Sequence, residues 1–254
     1  MGSEQHASPF RLQLASTFRS LQYRNYRLFF SGQSLSLIGT WIQRVALPWL
    51  VYRMTGSAVL LGVVGFAGQI PTFLLAPVAG VITDRFNRYT ILIATQVLAM
   101  TQALILAVLF FTGTIAVWHI IVLAVTLGII NAFDMPSRQA LVIDMVEKRE
   151  DLGNAIALNS SMVNAARLIG PSIAGILIAV TNEGVCFLLN GLSYGFVIVS
   201  LVLMRFPASR RASAKTRIIS SCATLPASWT TSRLIRLSVY GSVTPENCST
   251  ETGP

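Results

Sequence analysis

The sequence predicts an all-α membrane protein with six transmembrane helices, and three observations support this fold class. Hydrophobic residues make up 53% of the 254 residues, whereas charged residues make up 11%. Soluble domains carry about 25% charged residues, so a water-soluble fold could not cover this much apolar surface. The mean hydropathy of +0.64 agrees with this interpretation. Six apolar segments are also long enough for a helix of about 20 residues to cross a bilayer.

Turn-forming or charged stretches separate the six apolar segments. The separators read "TGSA", "DRFNR", "TGT", "EKREDLGN" and "TNEG", which are typical of loops. Helix ends inferred from such signals are set to within about 2–4 residues. The predicted spans are Tyr26–Tyr52, Ala58–Ile82, Thr90–Phe111, Val117–Met135, Asn154–Val180 and Gly184–Met204.

The chain divides into three parts on this basis. Residues 1–25 are polar and basic, and we expect them to be a cytoplasmic N-terminal segment. The first apolar segment exceeds the about 7–15 residues of a signal-peptide core, so it should be retained as an anchor. Residues 26–206 form the six-helix block, and residues 207–254 form a tail rich in Ser, Thr and Arg. We expect disorder in this tail, although "RLIRLSVY" could form a short amphipathic helix at the membrane surface.

The Lys and Arg residues fall on alternate connections between the spans. Short loops rich in Lys and Arg stay in the cytoplasm, and the opposite set of connections holds little beyond Arg53. We therefore expect a multi-pass protein of the cell inner membrane with both termini in the cytoplasm. This topology explains the formal net charge of +9 without nucleic-acid binding. The predicted cytoplasmic residues are Arg19, Arg24, Arg27, Arg85, Arg88, Lys148, Arg149, Arg205, Arg210 and Arg211.

Polar side chains recur along single faces of several predicted spans. Polar groups are costly in hydrocarbon, so they face the bundle interior or a water-filled cavity. At about 100° per residue, each set below shares a face of its helix. The first span carries Gln33, Ser36, Thr40, Gln43 and Arg44, the second Gly65, Gln69, Thr72 and Ala76, the fourth Asn131, Asp134 and Arg138, and the fifth Ser160, Asn164, Arg167 and Pro171.

Two interpretations of these polar faces stay open. The residues either hydrogen-bond neighbouring helices or line a substrate cavity. Arg44 and Arg167 favour a cavity, because an Arg well inside a span cannot easily reach water and its fork of donors suits an anionic group. The cavity hypothesis assigns to the site Gln33, Thr40, Gln43, Arg44, Gln69, Asn131, Asn164 and Arg167.

Enzyme chemistry has no support in the sequence. The three Cys residues show no CxxC or metal-ligand spacing. His6 lies in the N-terminal segment and His119 at a span boundary, and no Ser/His/Asp grouping or phosphate-binding loop accompanies them. We therefore expect no enzyme activity, no cofactor and no metal.

The stretch "GVITDRFNR" holds three charges between the second and third predicted spans. It resembles the signature G-x-x-x-D-R/K-x-G-R-R/K of the major facilitator superfamily, although Asn87 stands in place of the second Gly. The resemblance implies a cytoplasmic gating loop that stabilises the outward-facing state, with Asp134 as the candidate partner of Arg85. The matching residues are Gly80, Asp84, Arg85 and Arg88.

A second stretch, "ALNSSMVNAARLIGPSIAG" in the fifth span, resembles the antiporter signature G-(x)8-G-(x)3-GP-(x)2-GG of the same superfamily. Gly170, Pro171 and Gly175 match, whereas Ala replaces Gly at the other positions. Small residues allow tight helix packing, and proline favours a kink. In that family the element accompanies export rather than import.

Longer phrases are similar to one bacterial branch of the superfamily, which contains enterobactin exporters and transmembrane secretion effectors. These phrases are "NYRLFFSGQSLSLIGTWIQRVALPWLVYRMTGSA", "NAFDMPSRQALV" and "NAIALNSSMVNAARLIGPSIAG". The resemblance implies efflux of siderophores, drugs or other amphipathic compounds by alternating access, with proton coupling. It also implies a twelve-helix protein in two halves, of which this chain supplies the N-terminal half.

The missing half leaves a second functional class open. Either the chain pairs with a second half-transporter or a second copy of itself, or it is a non-transporting remnant or a partner-binding helical subunit. We expect a truncated or frame-shifted product whose last residues are out of frame or disordered, because the tail appears where a seventh span should follow. No carboxylate is predicted near the middle of the membrane, since Asp84 and Asp134 are expected at the cytoplasmic edge and Glu183 at the outer edge.

Overall fold

The computed structural model describes residues 19–146 and 149–204. These residues form a short 3-10 helix at Arg19–Gln22 and six long α-helices, and they contain no strand. The predicted tail, with its "RLIRLSVY" segment, and residues 1–18 lie outside the described residues. The six helices are α1 (Arg24–Thr55), α2 (Ala58–Arg85), α3 (Arg88–Phe111), α4 (Val117–Met145), α5 (Arg149–Val180) and α6 (Glu183–Leu203).

Each predicted span corresponds to one of these helices, so the predicted all-α fold is confirmed. The helices α2 to α6 are all long and apolar enough to cross a membrane, whereas α1 does not reach that apolarity. Polar side chains along α1 lower its hydropathy, but Gln33, Ser36 and Gln43 are at most 2% exposed and face the other helices. At about 1.5 Å per residue, the 32 residues of α1 are ample for a sixth span.

The largest difference from the predicted boundaries is at the end of α4. The sequence suggested an end at Met135, because Pro136 and several polar residues follow, but the helix continues to Met145. A transmembrane helix tolerates proline when its neighbours satisfy the freed backbone groups. Leu141 and Met145 in the added turns are each 3% exposed, so packing supports the extension. Asp134 therefore lies well inside α4, about 16 Å from the helix end at a rise of 1.5 Å per residue.

The helices pack in an order that differs from their order in the chain. Helix α1 packs on α5 and α6, α6 packs on α3, α3 packs on α4, and α4 packs on α2. Helices α2 and α5 each have one major neighbour, so they carry many exposed apolar side chains, including Phe73 and Leu168. Helices α2 and α5 therefore stand at the two ends of this order of major contacts.

Glycine allows α2 and α4 to approach closely. A side chain at Gly128 would collide with the carbonyl oxygen of Gly68 and approach Pro71 Cδ to 3.3 Å. The Thr72 hydroxyl donates to the Gly128 carbonyl at 2.8 Å across the same contact. Absence of a side chain thus lets backbones touch, as is common between membrane helices.

A chain of buried amides joins four helices in the middle of the bundle. Asn190 Nδ2 on α6 donates to Gln43 Oε1 on α1 at 2.7 Å, and Gln43 Nε2 donates to Gln102 Oε1 on α3 at 3.3 Å. Gln102 Nε2 in turn donates to the Leu123 carbonyl on α4, also at 3.3 Å. These bonds satisfy the amides internally, which an apolar surrounding requires.

An ion pair joins α1 and α6 at the end where Arg53 lies. Arg53 Nη2 is 2.9 Å from Glu183 Oε2, and the Glu183 side chain is fully buried whereas that of Arg53 is 53% exposed. Glu183 also lies in the first turn of α6, where a negative charge complements the helix dipole. We call this contact the α1–α6 ion pair.

The 3-10 helix is bound to the beginning of α5. The Tyr23 hydroxyl donates to Asp151 Oδ2 at 2.7 Å, and the Ser20 hydroxyl donates to the Asp151 carbonyl at 3.0 Å. Ser20 N also donates to Asn154 Oδ1 at 3.0 Å. The sequence analysis began the fifth span at Asn154 and missed this contact, because Asp151 lies in a charged stretch that reads as a loop.

Candidate functional site

A cavity of about 140 Å³ opens between α1, α4 and α5. Helices α3 and α6 form its inner wall through Gln96, Ala99 and Tyr194. The remaining wall combines apolar residues with polar ones, among them three arginines and one aspartate. The other lining residues are Ser36, Leu37, Thr40, Trp41, Arg44, Ile130, Asn131, Asp134, Met135, Arg138, Val163 and Arg167.

Trp41 contacts two of the cavity arginines. The guanidinium carbon of Arg44 is 4.7 Å from the Trp41 ring centroid, and that of Arg167 is 5.2 Å from it. Both distances are within the range of cation–π attraction. Arg44 comes from α1 and Arg167 from α5, so the structure joins residues that are far apart in sequence. The sequence analysis did not select Trp41, although its position three residues before Arg44 puts both on one face.

Asp134 is the one carboxylate among the residues that line this cavity. It forms an ion pair with Arg138, one turn later on α4, and its side chain is 4% exposed. Asp134 Oδ1 also accepts from Gln96 Nε2 at 2.6 Å and from the Thr95 hydroxyl at 3.1 Å. The expected pairing of Asp134 with Arg85 is therefore wrong. The spacing of four residues between Asp134 and Arg138 was the signal for the observed pair.

The inner wall of the cavity carries one further polar contact. The Tyr194 and Thr40 hydroxyl oxygens are 3.3 Å apart, and Tyr194 is 6% exposed. The Thr40 hydroxyl also bonds the Ser36 carbonyl within α1 at 2.9 Å. Tyr194 lies in the last span, where the polar-face analysis selected no residue, so sequence reasoning missed it.

Four of the eight residues that the sequence analysis assigned to the cavity lie elsewhere. Gln43 belongs to the buried amide chain, and Gln33 is 1% exposed inside the bundle. Gln69 is exposed on α2, and Asn164 Nδ2 donates to the Ser160 carbonyl of its own helix at 3.0 Å. The four that line the cavity are Thr40, Arg44, Asn131 and Arg167.

The residues of the "GVITDRFNR" stretch are mostly helical. Helix α2 continues through Arg85 and α3 begins at Arg88, so the connection is two residues long. Arg88 Nη2 is 3.4 Å from Asp84 Oδ1, and Arg88 Nη1 is 3.3 Å from Asp144 Oδ2 near the end of α4. The acidic partner from α4 is thus Asp144, which the sequence analysis did not select. A side chain at Gly80 would meet none of the described residues within 4 Å, so Gly80 makes no close helix contact here.

The two glycines of the fifth-span signature have different surroundings. A side chain at Gly170 would collide with Trp41 Cβ and come within 3.3 Å of the Ile38 carbonyl, so this glycine permits the close approach of α5 to α1. A side chain at Gly175 would meet no described atom within 4 Å. Pro171 lies inside α5, which continues through it.

Comparison with known families gives a match over most of the chain. The model of the transmembrane secretion effector family matches residues 15–240. This match covers the six helices and continues into the tail, beyond residue 206, where the predicted six-helix block ends.

Curated relatives are transporters of several kinds. The chain is 31% identical over 185 residues to the staphyloferrin A transporter of Staphylococcus aureus, which covers 72% of this chain and 46% of the relative. It is 24% identical over 190 residues to the macrolide efflux protein A of Streptococcus pyogenes, covering 73% of this chain and 47% of that protein. It is 28% identical over 145 residues to the multidrug efflux pump Tap of Mycolicibacterium fortuitum, covering 56% of this chain and 36% of that protein.

In these comparisons the chain spans less than half the length of each relative. The family match, the helices and the predicted signatures agree with one another. The chain is a multi-pass membrane protein, and it belongs to the transmembrane secretion effector family of the major facilitator superfamily.

Proposed function

We propose that this chain is one half of a secondary active transporter that exports small amphipathic compounds by alternating access. The observation that carries the proposal is the cavity between α1, α4 and α5, which combines apolar walls with arginines inside the spans. Ionisable side chains are rare in transmembrane segments and mark substrate pathways. In transporters built from repeats, the substrate site lies at the interface between the two halves. Relatives with transport and efflux names support the direction of export.

The proposed location is the cytoplasmic membrane, with both ends of the six-helix block in the cytoplasm. The asymmetric distribution of Lys and Arg supports this orientation. The group formed by Arg88, Asp84 and Asp144 then lies on the cytoplasmic side. We propose that this group and Arg85 belong to the gate on that side, where contacts between charged side chains can form and break as the transporter changes state.

A partner must complete the cavity in this proposal. The partner is the second six-helix half or a second copy of this chain. Helices α2 and α5 support such a partner, because each packs on one major neighbour and exposes Gly65 or Gly175 with open space around it. Small residues on membrane helices permit close packing against another helix. The kink and packing role of Gly170, Pro171 and Gly175 remains part of the proposal.

Asp134 is our candidate for the proton-coupling group. It is the one carboxylate on the cavity wall among the described residues, and it lies in the interior of α4. Replacing Asp134 with Asn should make export independent of the pH gradient. Efflux with and without that gradient is compared for the fraction of the variant that size-exclusion chromatography shows to be folded, because the substitution also removes the ion pair with Arg138.

Efflux from reconstituted vesicles tests the proposed function. The full chain is reconstituted into liposomes, and the liposomes are loaded with one compound at a time from a panel of siderophores and drugs. We expect efflux that depends on a pH gradient and falls at least about tenfold in Arg44→Ala, because a charged hydrogen bond contributes about 1.5–3 kcal/mol. Arg27→Gln is the matched control, since Arg27 is an exposed arginine on the same helix and lies outside the cavity.

The same experiment separates the alternative function. A non-transporting remnant would give no efflux above that of empty liposomes, whether or not a partner is present. If the chain alone is inactive, any second polytopic protein that co-purifies with it is reconstituted together with it. Efflux from that pair supports a half-transporter, whereas a pair without efflux favours the partner-binding subunit.

A further inference from the structure

The charges that line the α1/α4/α5 cavity do not balance. Arg44, Arg138 and Arg167 line it together with the single carboxylate of Asp134. The Asp134–Arg138 ion pair satisfies that carboxylate within one helix. In the described part of the chain, neither Arg44 nor Arg167 has an acidic group within 4.0 Å. Two positive charges therefore face the cavity without a counter-charge.

Trp41 holds these two arginines without neutralising them. Cation–π stacking attracts a guanidinium to the ring face but leaves its N–H edge available for hydrogen bonds. Both guanidinium carbons lie within 5.2 Å of the Trp41 ring centroid, so the two like charges are close together and repel each other. Mutual repulsion of like charges is relieved when an anion binds between them. Arg44 and Arg167 are thus prepared for an anionic group that the described residues do not supply.

The remaining wall indicates what is attached to that anion. Leu37, Ala99, Ile130 and Val163 present apolar surface next to the arginines. Ligand sites commonly combine such a surface with a few polar groups that fix orientation. A compound that places a carboxylate beside an apolar or aromatic body would satisfy both parts of the cavity.

We propose that Arg44, Trp41 and Arg167 form a clamp for the carboxylate of an amphipathic substrate, so the transported compounds are organic anions. This inference rests on the proposed function, because it names the substrate class of the same cavity. The guanidinium fork matches the two oxygens of a carboxylate. A cationic compound would meet uncompensated positive charge at the clamp, which disfavours its binding.

Quenching of Trp41 fluorescence tests the clamp directly. The full chain is purified in detergent with Trp49, Trp118 and Trp229 replaced by Phe, which leaves Trp41 as the single tryptophan of the four. The probes are 4-bromobenzoate, 4-bromobenzamide and 4-bromobenzylammonium, which share a quenching bromine and differ in charge. We expect saturable quenching by the benzoate at a concentration at least about tenfold lower than by the other two, as the loss of one charged hydrogen bond predicts.

Substitutions then assign the effect to the two arginines. Arg44→Gln and Arg167→Gln should each raise the dissociation constant for 4-bromobenzoate by about tenfold or more, whereas Arg44→Lys and Arg167→Lys should restore part of the affinity. Arg27→Gln removes the same charge outside the cavity and should leave the constant unchanged. Circular dichroism and size-exclusion chromatography identify any variant that fails to fold. If a Gln variant does not fold, the dissociation constant of the parent is compared with that of the Lys variant at the same position.

Two results would overturn the clamp. One is equal quenching by the three probes, and the other is no saturable quenching of a folded, monodisperse protein. Efflux of neutral or cationic compounds from vesicles, together with either result, would leave the proposed export function standing and contradict only the anionic substrate class. Specific benzoate binding without any efflux would support the clamp and count against transport by this chain alone.

Discussion

Asp134 and Arg138 illustrate how one pair of side chains sets the charge balance of the cavity wall. Their ion pair lies inside α4, where burial weakens solvent screening, and Gln96 and Thr95 supply further donors to the carboxylate. A buried pair of this kind depends on further hydrogen bonds, and here they reach the Asp134 carboxylate, whereas Arg138 Nε has no hydrogen-bond partner among the described residues. Because Asp134 is satisfied in this way, the other two cavity arginines remain available for a ligand.

Removing the Asp134 charge should destabilise the protein. Asp134→Asn leaves the partly buried Arg138 without its partner, and loss of one member of a buried pair typically costs about 3–5 kcal/mol. Asp144→Asn is the matched control on the same helix, because its 45% exposed side chain pairs with Arg88 at the surface and should contribute only about 0–1 kcal/mol. Denaturant unfolding of the purified protein measures the loss of stability in both variants. Equal losses of stability would contradict the assigned burial of the Asp134 pair.

The helices show which features the sequence could predict at the scale of an element. Apolar runs located all six helices, because a spanning helix needs a long segment of low polarity. The end of α4 was missed, because Pro136 reads as a helix end unless tertiary packing supports the turns beyond it. The polar faces predicted Arg44 and Arg167 at the cavity but also included Gln43. An arc of about 100° on α1 is wide enough to include one residue that faces the cavity and one that faces the bundle.

Close contact between α1 and α5 gives a prediction at this scale. Gly170→Ala places a methyl group against Trp41 Cβ, so we expect the helices to separate and stability to fall by about 1–3 kcal/mol. Gly175→Ala on the same helix is the control, since the space around it is open and alanine favours a helix by up to about 1 kcal/mol. Denaturant titration of both variants measures the difference. A Gly170→Ala protein as stable as the parent would show that the α1–α5 contact adjusts freely.

At the scale of the whole six-helix block, the major contacts run in the order α5, α1, α6, α3, α4, α2. The cavity draws its lining residues from five of these six helices. The sequence could predict the six helices and four of the cavity residues, but it could not predict which helices enclose the cavity. Trp41, Asp144 and Tyr194 were missed because their roles depend on which helices become neighbours in space.

The proposed orientation predicts opposite accessibility at the two ends of the bundle. After the native cysteines are replaced by Ser, Thr112→Cys should react with an impermeant maleimide added outside intact cells. Phe86→Cys, in the two-residue connection between α2 and α3, should react only after the membrane is permeabilised. Both positions are exposed, so burial does not confuse the comparison. Labelling of Thr112→Cys only after permeabilisation would reverse the topology and remove the basis of the cytoplasmic gate.

The α1–α6 ion pair has a practical consequence for distance measurements. Arg53 and Glu183 belong to the same half, and the buried amide chain ties the same two helices together deeper in the bundle. Spin labels attached next to Arg53 and Glu183 should therefore report one constant separation in every state of the proposed transport cycle. That separation can serve as a reference distance when the movement of the proposed second half is measured.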